Sequence, residues 1–337
     1  MKAIGYQKSL PIDHPDSLQD ITLDEPHLSD RDLLVEIKAV SVNPVDTKIR
    51  MRAEPSLGEW AVLGWDATGI VRDVGPEVTL FKAGDRVWYA GAINRQGTNS
   101  ELHLVDERIA GHMPTSLDFA QAAALPLTSI TAWEILFDRL QIVQSEQKEN
   151  TNVLIIGASG GVGSIMVQLA HHLTGLTVIA TASRPETQTW VKKLGAHEVI
   201  NHNLPISEEL KRIGIDQAQY IVSLNKTDHH FEQIVESIAP QGKFALIDDP
   251  EPIDVRLLKR KSVSLHWELM FTRSLFDTPD MIEQHNLLEK VSSLVDKGTI
   301  KTTFNQHFGT ISAENLKRAH ALLEQGKACG KIVLEGF

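Results

Sequence analysis

The stretch Asn152–Ala170, NVLIIGASGGVGSIMVQLA, constrains this chain more than any other. Val153, Leu154, Ile155 and Ile156 make a short apolar run of the length of a buried strand. Gly157, Ala158, Ser159, Gly160, Gly161, Val162 and Gly163 follow, and an apolar helical pattern begins at once. Strand, glycine turn and helix N-terminus in that order make the phosphate site of a dinucleotide-binding βαβ unit. Glycines let the backbone approach a pyrophosphate, and the free N–H groups of the helix's first turn meet its charge. On the G-x-G-x-x-G pattern, Ala158 takes the first glycine position, Gly160 the second and Gly163 the third. Glycine-rich turns also serve packing alone, but the strand before and the helix after favour the nucleotide.

The next strand bears on which nucleotide. Leu176–Ala182 is apolar and ends in Ser183-Arg184-Pro185. An NAD site carries Asp or Glu about 20 residues beyond the glycines, to hold the ribose hydroxyls. Here no carboxylate appears until Glu186. A hydroxyl and a guanidinium suit a 2′-phosphate, which an aspartate repels. The sequence therefore points to NADPH, with solvated loop residues as the plain alternative for Ser183 and Arg184.

The chain has 337 residues, enough for two domains, and its 42% hydrophobic and 23% charged content is that of a globular protein. A formal net charge of −11 argues against nucleic acid as the main partner. The single cysteine, Cys329, precludes an intramolecular disulfide, no apolar run is long enough for a membrane span, and MKAIGYQKS lacks a signal-peptide core. A cytoplasmic location is the expectation. Up to about Val105 short strands alternate with Gly, Pro and Asp turns, as in a compact β-barrel-like domain. Asn43–Asp46 reads as a turn and Thr47–Arg50 as a short helical turn. Helices are expected at Phe119–Leu125 and Ser129–Leu140. Strands then alternate with helices at Val153–Ile156, Leu176–Thr181, Glu198–Ile200, Tyr220–Ser223, Lys243–Ile247 and Val263–His266, the pattern of an α/β doubly wound parallel sheet, the Rossmann fold. Met281–Lys297 and Ser312–Gln325 read as helices and Lys331–Leu334 as a last strand. The expected division is residues 1–125 with 272–337 in one domain and 126–271 in the other.

Seven segments carry a family resemblance: Val40–Arg50, Leu63–Gly75 (LGWDATGIVRDVG), Phe81–Trp88, Ala122–Leu140, Ile156–Ala170, Lys192–His202 and Gly330–Phe337. In that order they resemble the medium-chain dehydrogenase/reductase superfamily almost end to end, and within it the quinone oxidoreductase branch and the group labelled zinc-type alcohol dehydrogenase-like. The resemblance implies a GroES-like catalytic domain, a Rossmann domain and a cofactor cleft between them. It further implies reduction of quinones or activated alkenes with NADPH, a small-molecule substrate, and a homodimer. It places cofactor contacts at Thr128 and Thr131, at Ser223 and Asn225, at Ile247, at Phe271 and at Lys331. His202 stands where many relatives have Tyr.

Zinc does not follow from the label. A catalytic zinc needs Cys, His and Cys or carboxylate around an open position. The turn after Val42 holds Asn43-Pro44-Val45-Asp46 and no thiol. The His of the family's G-H-E triplet is Trp65 in Gly64-Trp65-Asp66, and an indole binds no metal. The expected protein is metal-free. Hydride transfer to a conjugated carbonyl suits such a site, because the charge spreads onto an oxygen that a hydrogen-bond donor can satisfy. Candidate residues for this chemistry are Asn43, as an amide donor, Asp46, as an ionised orienting group, Trp65 and Tyr89. Asn43 and Asp46 read equally well as turn formers at Pro44, and Trp65 and Trp88 as walls. A zinc-dependent alcohol dehydrogenase, a redox sensor that binds NADPH without turnover, and a crystallin-like stable protein are the other readings.

Overall fold

A computed structural model describes residues 1–145, 147 and 151–337. The chain divides into two compact units, Met1–Ile130 with Phe271–Phe337, and Thr131–Met270.

The first unit is mostly antiparallel. Its seven-stranded sheet runs in the order Phe304–His307, Lys331–Glu335, Asp32–Ser41, Ala67–Val74, Arg86–Tyr89, Ala110–His112, and Leu102–Asp106 also pairs with Asp32–Ser41. A smaller sheet joins Gln19–Thr22, Lys2–Tyr6 and Ala61–Val62. In Asp32–Ser41 the alternate residues Leu33, Val35, Ile37 and Ala39 are fully buried, as the period of a strand with one core face requires. The pairs Val333↔Ser41 and Val40↔Ala67 make three strands adjacent. The end of the middle strand therefore lies beside the starts of the other two, which brings together the chain at Asn43, Asp66 and Lys331.

Two helices are longer at their N-termini than the sequence suggests. Pro44–Arg52 is a full helix rather than a turn followed by Thr47–Arg50. The next begins at Pro126, not Ser129, runs to Trp133 and continues as a π-helix over Glu134–Arg139. The reason is the same at both sites. Proline at the first helical position loses only an N–H that has no intrahelical partner, and its fixed φ suits the helix.

The second unit is a six-stranded parallel sheet: β1 (Asn152–Ile156), β2 (Thr177–Thr181), β3 (Glu198–Ile200), β4 (Ala218–Ser223), β5 (Ile238–Leu246) and β6 (Ser264–Trp267). Their order is β3-β2-β1-β4-β5-β6. This is the doubly wound order, with its switch point between β1 and β4. Strand β5 starts before Lys243, because Ile238 already pairs with Ala218. Val153 to Ile156 are all buried, as a strand covered on both faces must be. Among the described residues no helix is long and apolar enough to cross a membrane.

Candidate active site

In the second unit the residues expected to hold a cofactor gather at the carboxyl ends of the parallel strands. Gly157 follows β1 with φ +83°, and a Cβ there would lie 2.8 Å from Asn225 Oδ1. The Gly157 N–H donates to Thr181 Oγ1 at the end of β2 (3.1 Å). Helix α1 (Gly161–Leu173) starts immediately, with Gly160 at the N-cap and no side chain to cap its first turn. The glycines divide their work. A Cβ on Gly163 would sit 2.5 Å from Ala158 Cα, so this residue permits the close helix-to-strand packing. A Cβ on Gly160 would meet only Gly157 O, at 3.5 Å. The fold therefore does not demand glycine at Gly160. Ala158 is buried, while Ser159, Gly161 and Val162 are half-buried at the mouth of the turn.

Ser183 and Arg184 lie just past β2. Arg184 is the N-cap residue of the helix Pro185–Lys193, with its side chain 43% exposed and Nε 3.2 Å from Glu186 Oε1. Thr181 pairs with Ile200, so the segment past β3 that carries His202 runs beside Ser183 and Arg184. Nδ1 of His202 is buried without a partner, and burial, then the charge of Lys226, holds its pKa below the usual histidine value. At the end of β4, the Ser223 hydroxyl lies 2.8 Å from Thr227 Oγ1 and donates to it, since the Thr227 proton goes to a carboxylate. Past β5, beside half-buried Ile247, Asp248 accepts from the Thr227 N–H (2.9 Å) and hydroxyl (2.5 Å). Asp248 is thus occupied as the cap of the helix Thr227–Ser237.

The first unit holds a buried polar network where its three strands converge. Lys331 (3% exposed) and Asp66 (0%) form an ion pair of 2.8 Å. The Lys331 ammonium also donates to Val42 O (3.1 Å) and to Asn43 Oδ1. The Asn43 amide donates to Asp66 Oδ2 (2.9 Å) and lies 3.3 Å from Ser41 O and Trp65 O. The Asn43 backbone N–H donates to Asp46 Oδ2 (2.5 Å). Asp66 Oδ1 accepts from the Leu127 N–H (2.8 Å).

These bonds change the roles expected from the sequence. The Asn43 amide is spent on internal acceptors and does not face outward as a donor. The three donors of Lys331 have three protein acceptors, which leaves none for a cofactor phosphate. Asp46 is not a simple ionised group, because burial pushes its pKa up to about 7, against the lowering effect of the Asn43 N–H and Lys331. Trp65 is buried, with Nε1 3.3 Å from Ala92 O and its ring edge-on to Phe271 at 6.3 Å. Tyr89 is fully buried. Burial lowers the pKa of His103 to about 4, and its Nε2 lies 2.9 Å from Gln96 O. Neutral His103 therefore donates through Nε2 and accepts the Tyr89 hydroxyl at Nδ1 (3.1 Å). Thr128 is buried and its hydroxyl donates to Leu125 O (3.1 Å), while Thr131 is buried in the same helix. Asp66 and the Leu127 N–H are the participants that motif reading missed.

The Asp46 value sets a pH dependence. Its pKa is raised from about 3.9 in the unfolded chain, so its stabilising contribution is complete below pH 4 and is lost as pH rises through 7. Asp46→Asn removes this titration. Urea midpoints at pH 5 and pH 8 should show wild type losing roughly 3 kcal/mol relative to the variant over that range. A difference independent of pH would show that Asp46 does not titrate there.

Comparison with known proteins supplies the family. An alcohol dehydrogenase GroES-like domain model matches residues 29–126, and a zinc-binding dehydrogenase model matches residues 194–334. A zinc-type alcohol dehydrogenase-like protein of Staphylococcus aureus is 40% identical over 99% of both chains. The chain belongs to the medium-chain dehydrogenase/reductase superfamily, a superfamily of oxidoreductases. A solved structure from Rhizobium etli, provisionally named a zinc-dependent alcohol dehydrogenase, is 56% identical with a TM-score of 0.97, covering 100% of this chain and 98% of that one. The quinone oxidoreductase of Escherichia coli, solved with NADPH, matches at a TM-score of 0.84 and 26% identity over 99% of this chain and 100% of that one.

Among the described residues, the zinc in these names finds no ligand set. Where the metal's first two ligands belong stand Asn43 and Trp65, and the adjoining Asp66 carboxylate is already neutralised by an ammonium at 2.8 Å. Among the described residues no group of three or more His, Cys, Asp or Glu is placed to hold a metal.

Proposed function

We propose that the protein is a zinc-independent, NADPH-dependent oxidoreductase that transfers a hydride to a quinone or an α,β-unsaturated carbonyl. One observation carries the cofactor reading: the doubly wound sheet presents an uncapped helix N-terminus, an uncrowded Gly160 and the carboxylate-free tip Ser183-Arg184 at the carboxyl ends of adjacent strands. Gly160, Gly161, Val162 and Gly163 would hold the pyrophosphate, and Ser183 and Arg184 the 2′-phosphate. The bound nicotinamide would supply the hydride. The acceptor class follows from the lack of metal-ligating groups at Asn43 and Trp65 and from the pairing of Asp66 with Lys331. A simple alcohol needs a Lewis acid to stabilise its alkoxide. A conjugated acceptor spreads its charge onto an oxygen that hydrogen-bond donors can meet. The NADPH-bound quinone oxidoreductase of the same fold supports this reading.

A homodimer belongs to the same proposal. Strand β6 is terminal in its sheet, with Trp267 54% exposed and Leu269 beyond it 51% exposed, the kind of open apolar edge that a second copy covers. Light scattering at micromolar concentration should give twice the chain mass.

Steady-state NADPH oxidation against a panel of quinones and enones tests the activity, together with elemental analysis of the purified protein. Turnover with quinones or enones at far below one zinc per chain is the expected result. One tightly bound zinc, lost together with alcohol oxidation on chelation, would overturn the reading.

A further inference from the structure

The tip of β2 has a titratable neighbour within its own unit. Thr181 pairs with Ile200 across the parallel strands β2 and β3, and one residue on the Ala182 N–H still donates to Ile200 O (2.9 Å). Adjacent strands lie about 4.8 Å apart. Ser183 stands two residues past Thr181, and His202 two residues past Ile200. His202 therefore leaves β3 beside the point where Ser183 leaves β2, the end of the sheet that receives the adenosine ribose.

Its surroundings are basic. The His202 ring lies 6.1 Å from that of His230, which lies 4.9 Å from that of His229. Lys226 holds a left-handed backbone (φ +50°) at the N-cap of Thr227–Ser237. Burial, then Lys226 and His229, oppose a charge on His202, and its Nδ1 has no partner. The carboxylates nearby are engaged elsewhere. Glu209 accepts from the Asn201 N–H (2.9 Å) and pairs with Arg212 (2.8 Å), Glu186 lies against Arg184, and Asp228 acts on His230. Among the described residues none of them pairs with His202. His230 is 4% exposed and burial holds its pKa at about 4, so it stays neutral. A cluster of basic groups short of counter-charge, in a chain of net charge −11, fits a phosphate dianion.

We propose that His202 is a third ligand of the cofactor's 2′-phosphate and binds it as the imidazolium, so that NADPH enters together with a proton and NADH does not. The role holds only if Ser183 and Arg184 meet NADPH, as proposed above. In the free protein the ring is neutral at pH 7, because its pKa lies below the usual histidine value. A dianion beside the ring favours the charged form, and the proton comes from the solvent and returns there when the cofactor leaves. The pKa is then higher in the NADPH complex than in the free protein, so NADPH binding strengthens as pH falls. Above about pH 6 the phosphate keeps its second charge, so the effect belongs to the protein. NADH offers only a hydroxyl at that place.

Calorimetric titration at pH 7 in two buffers of different ionisation enthalpy counts the protons taken up. Wild type should take up roughly half a proton or more per NADPH and close to none per NADH. His202→Gln, which keeps a hydrogen-bonding side chain and cannot charge, should abolish the uptake. In wild type the KM for NADPH should rise about three- to tenfold from pH 6.5 to 8.5, and in His202→Gln it should stay flat. NADPH binding without proton uptake, or with uptake unaltered in His202→Gln, overturns the assignment and leaves the cofactor preference standing. Equal uptake with NADH places the titrating group away from the phosphate and overturns it as well. If wild type binds NADH and not NADPH, or neither, the proposed cofactor falls and the role of His202 with it. Should His202→Gln fail to fold, His202→Asn replaces it with the same expectation, and the wild-type comparison of the two cofactors still decides whether the proton follows the phosphate.

Discussion

Lys331→Met should lower the stability of this protein by about 3–5 kcal/mol, the cost of leaving a buried charge without its partner. The stem of the lysine is matched in volume, so the loss is electrostatic. It strands Asp66, which is fully buried, and takes from Asn43 the donor to its Oδ1. Asp46 feels the same ammonium, and burial already pushes its pKa to about 7. Without Lys331 both carboxyls should take up protons more readily, so the loss should be smaller at pH 5 than at pH 8. For a unit of this size, 3–5 kcal/mol corresponds to a fall in Tm of roughly 6–20 °C. D66N/K331M should recover most of it, because it removes both buried charges while residue 66 still offers an oxygen to the Leu127 N–H. Urea unfolding of wild type, the single variant and the double variant at both pH values decides the matter. A single-variant loss below about 1 kcal/mol would mean that water reaches the site and screens the pair.

This network shows where sequence reading succeeds and where it stops. The strand, glycine turn and helix at Asn152–Ala170 are local, and their periodicity and order suffice to place a parallel sheet with its switch point beside the glycines. The long strand Asp32–Ser41 announces itself by alternation. Asp66 and Lys331 are separated by 265 residues, and nothing local says that they meet. A signal existed all the same. Each is a lone charge within an apolar strand segment, LGWDATGIV and KIVL, and such a charge must be paired if the segment is buried. The partner became visible only with the register that sets Lys331–Glu335 and Ala67–Val74 on either side of Asp32–Ser41. The roles expected of Asn43 and Asp46 met the same limit. Pro44 marks a helix start as readily as a turn, and which way an amide points depends on partners brought in by other strands.

Arg184→Ala should raise the KM for NADPH by one to two orders of magnitude and leave that for NADH nearly unchanged. The two cofactors differ by one phosphate carrying close to two negative charges. The guanidinium lies just past β2, where an NAD site carries its carboxylate, and its side chain is 43% exposed. An arginine–phosphate contact in such a setting is worth roughly 1.5–3 kcal/mol, or about 10- to 150-fold in affinity. Ser183 adds a neutral hydrogen bond of about 0.5–1.5 kcal/mol. Glu186, whose Oε1 lies 3.2 Å from Arg184 Nε, works against the contact, because a phosphate must share the guanidinium with a carboxylate. An exposed pair of this kind holds by less than about 1 kcal/mol, so the phosphate should prevail. Glu186→Gln should accordingly lower the KM for NADPH by a few-fold and spare NADH. Turnover numbers should change little in either variant, since a contact remote from the reacting carbon acts equally on the ground and transition states. Kinetic constants for both cofactors in wild type, Arg184→Ala and Glu186→Gln are the measurement. Equal effects of Arg184→Ala on the two cofactors would assign Arg184 to the surface and place the phosphate elsewhere.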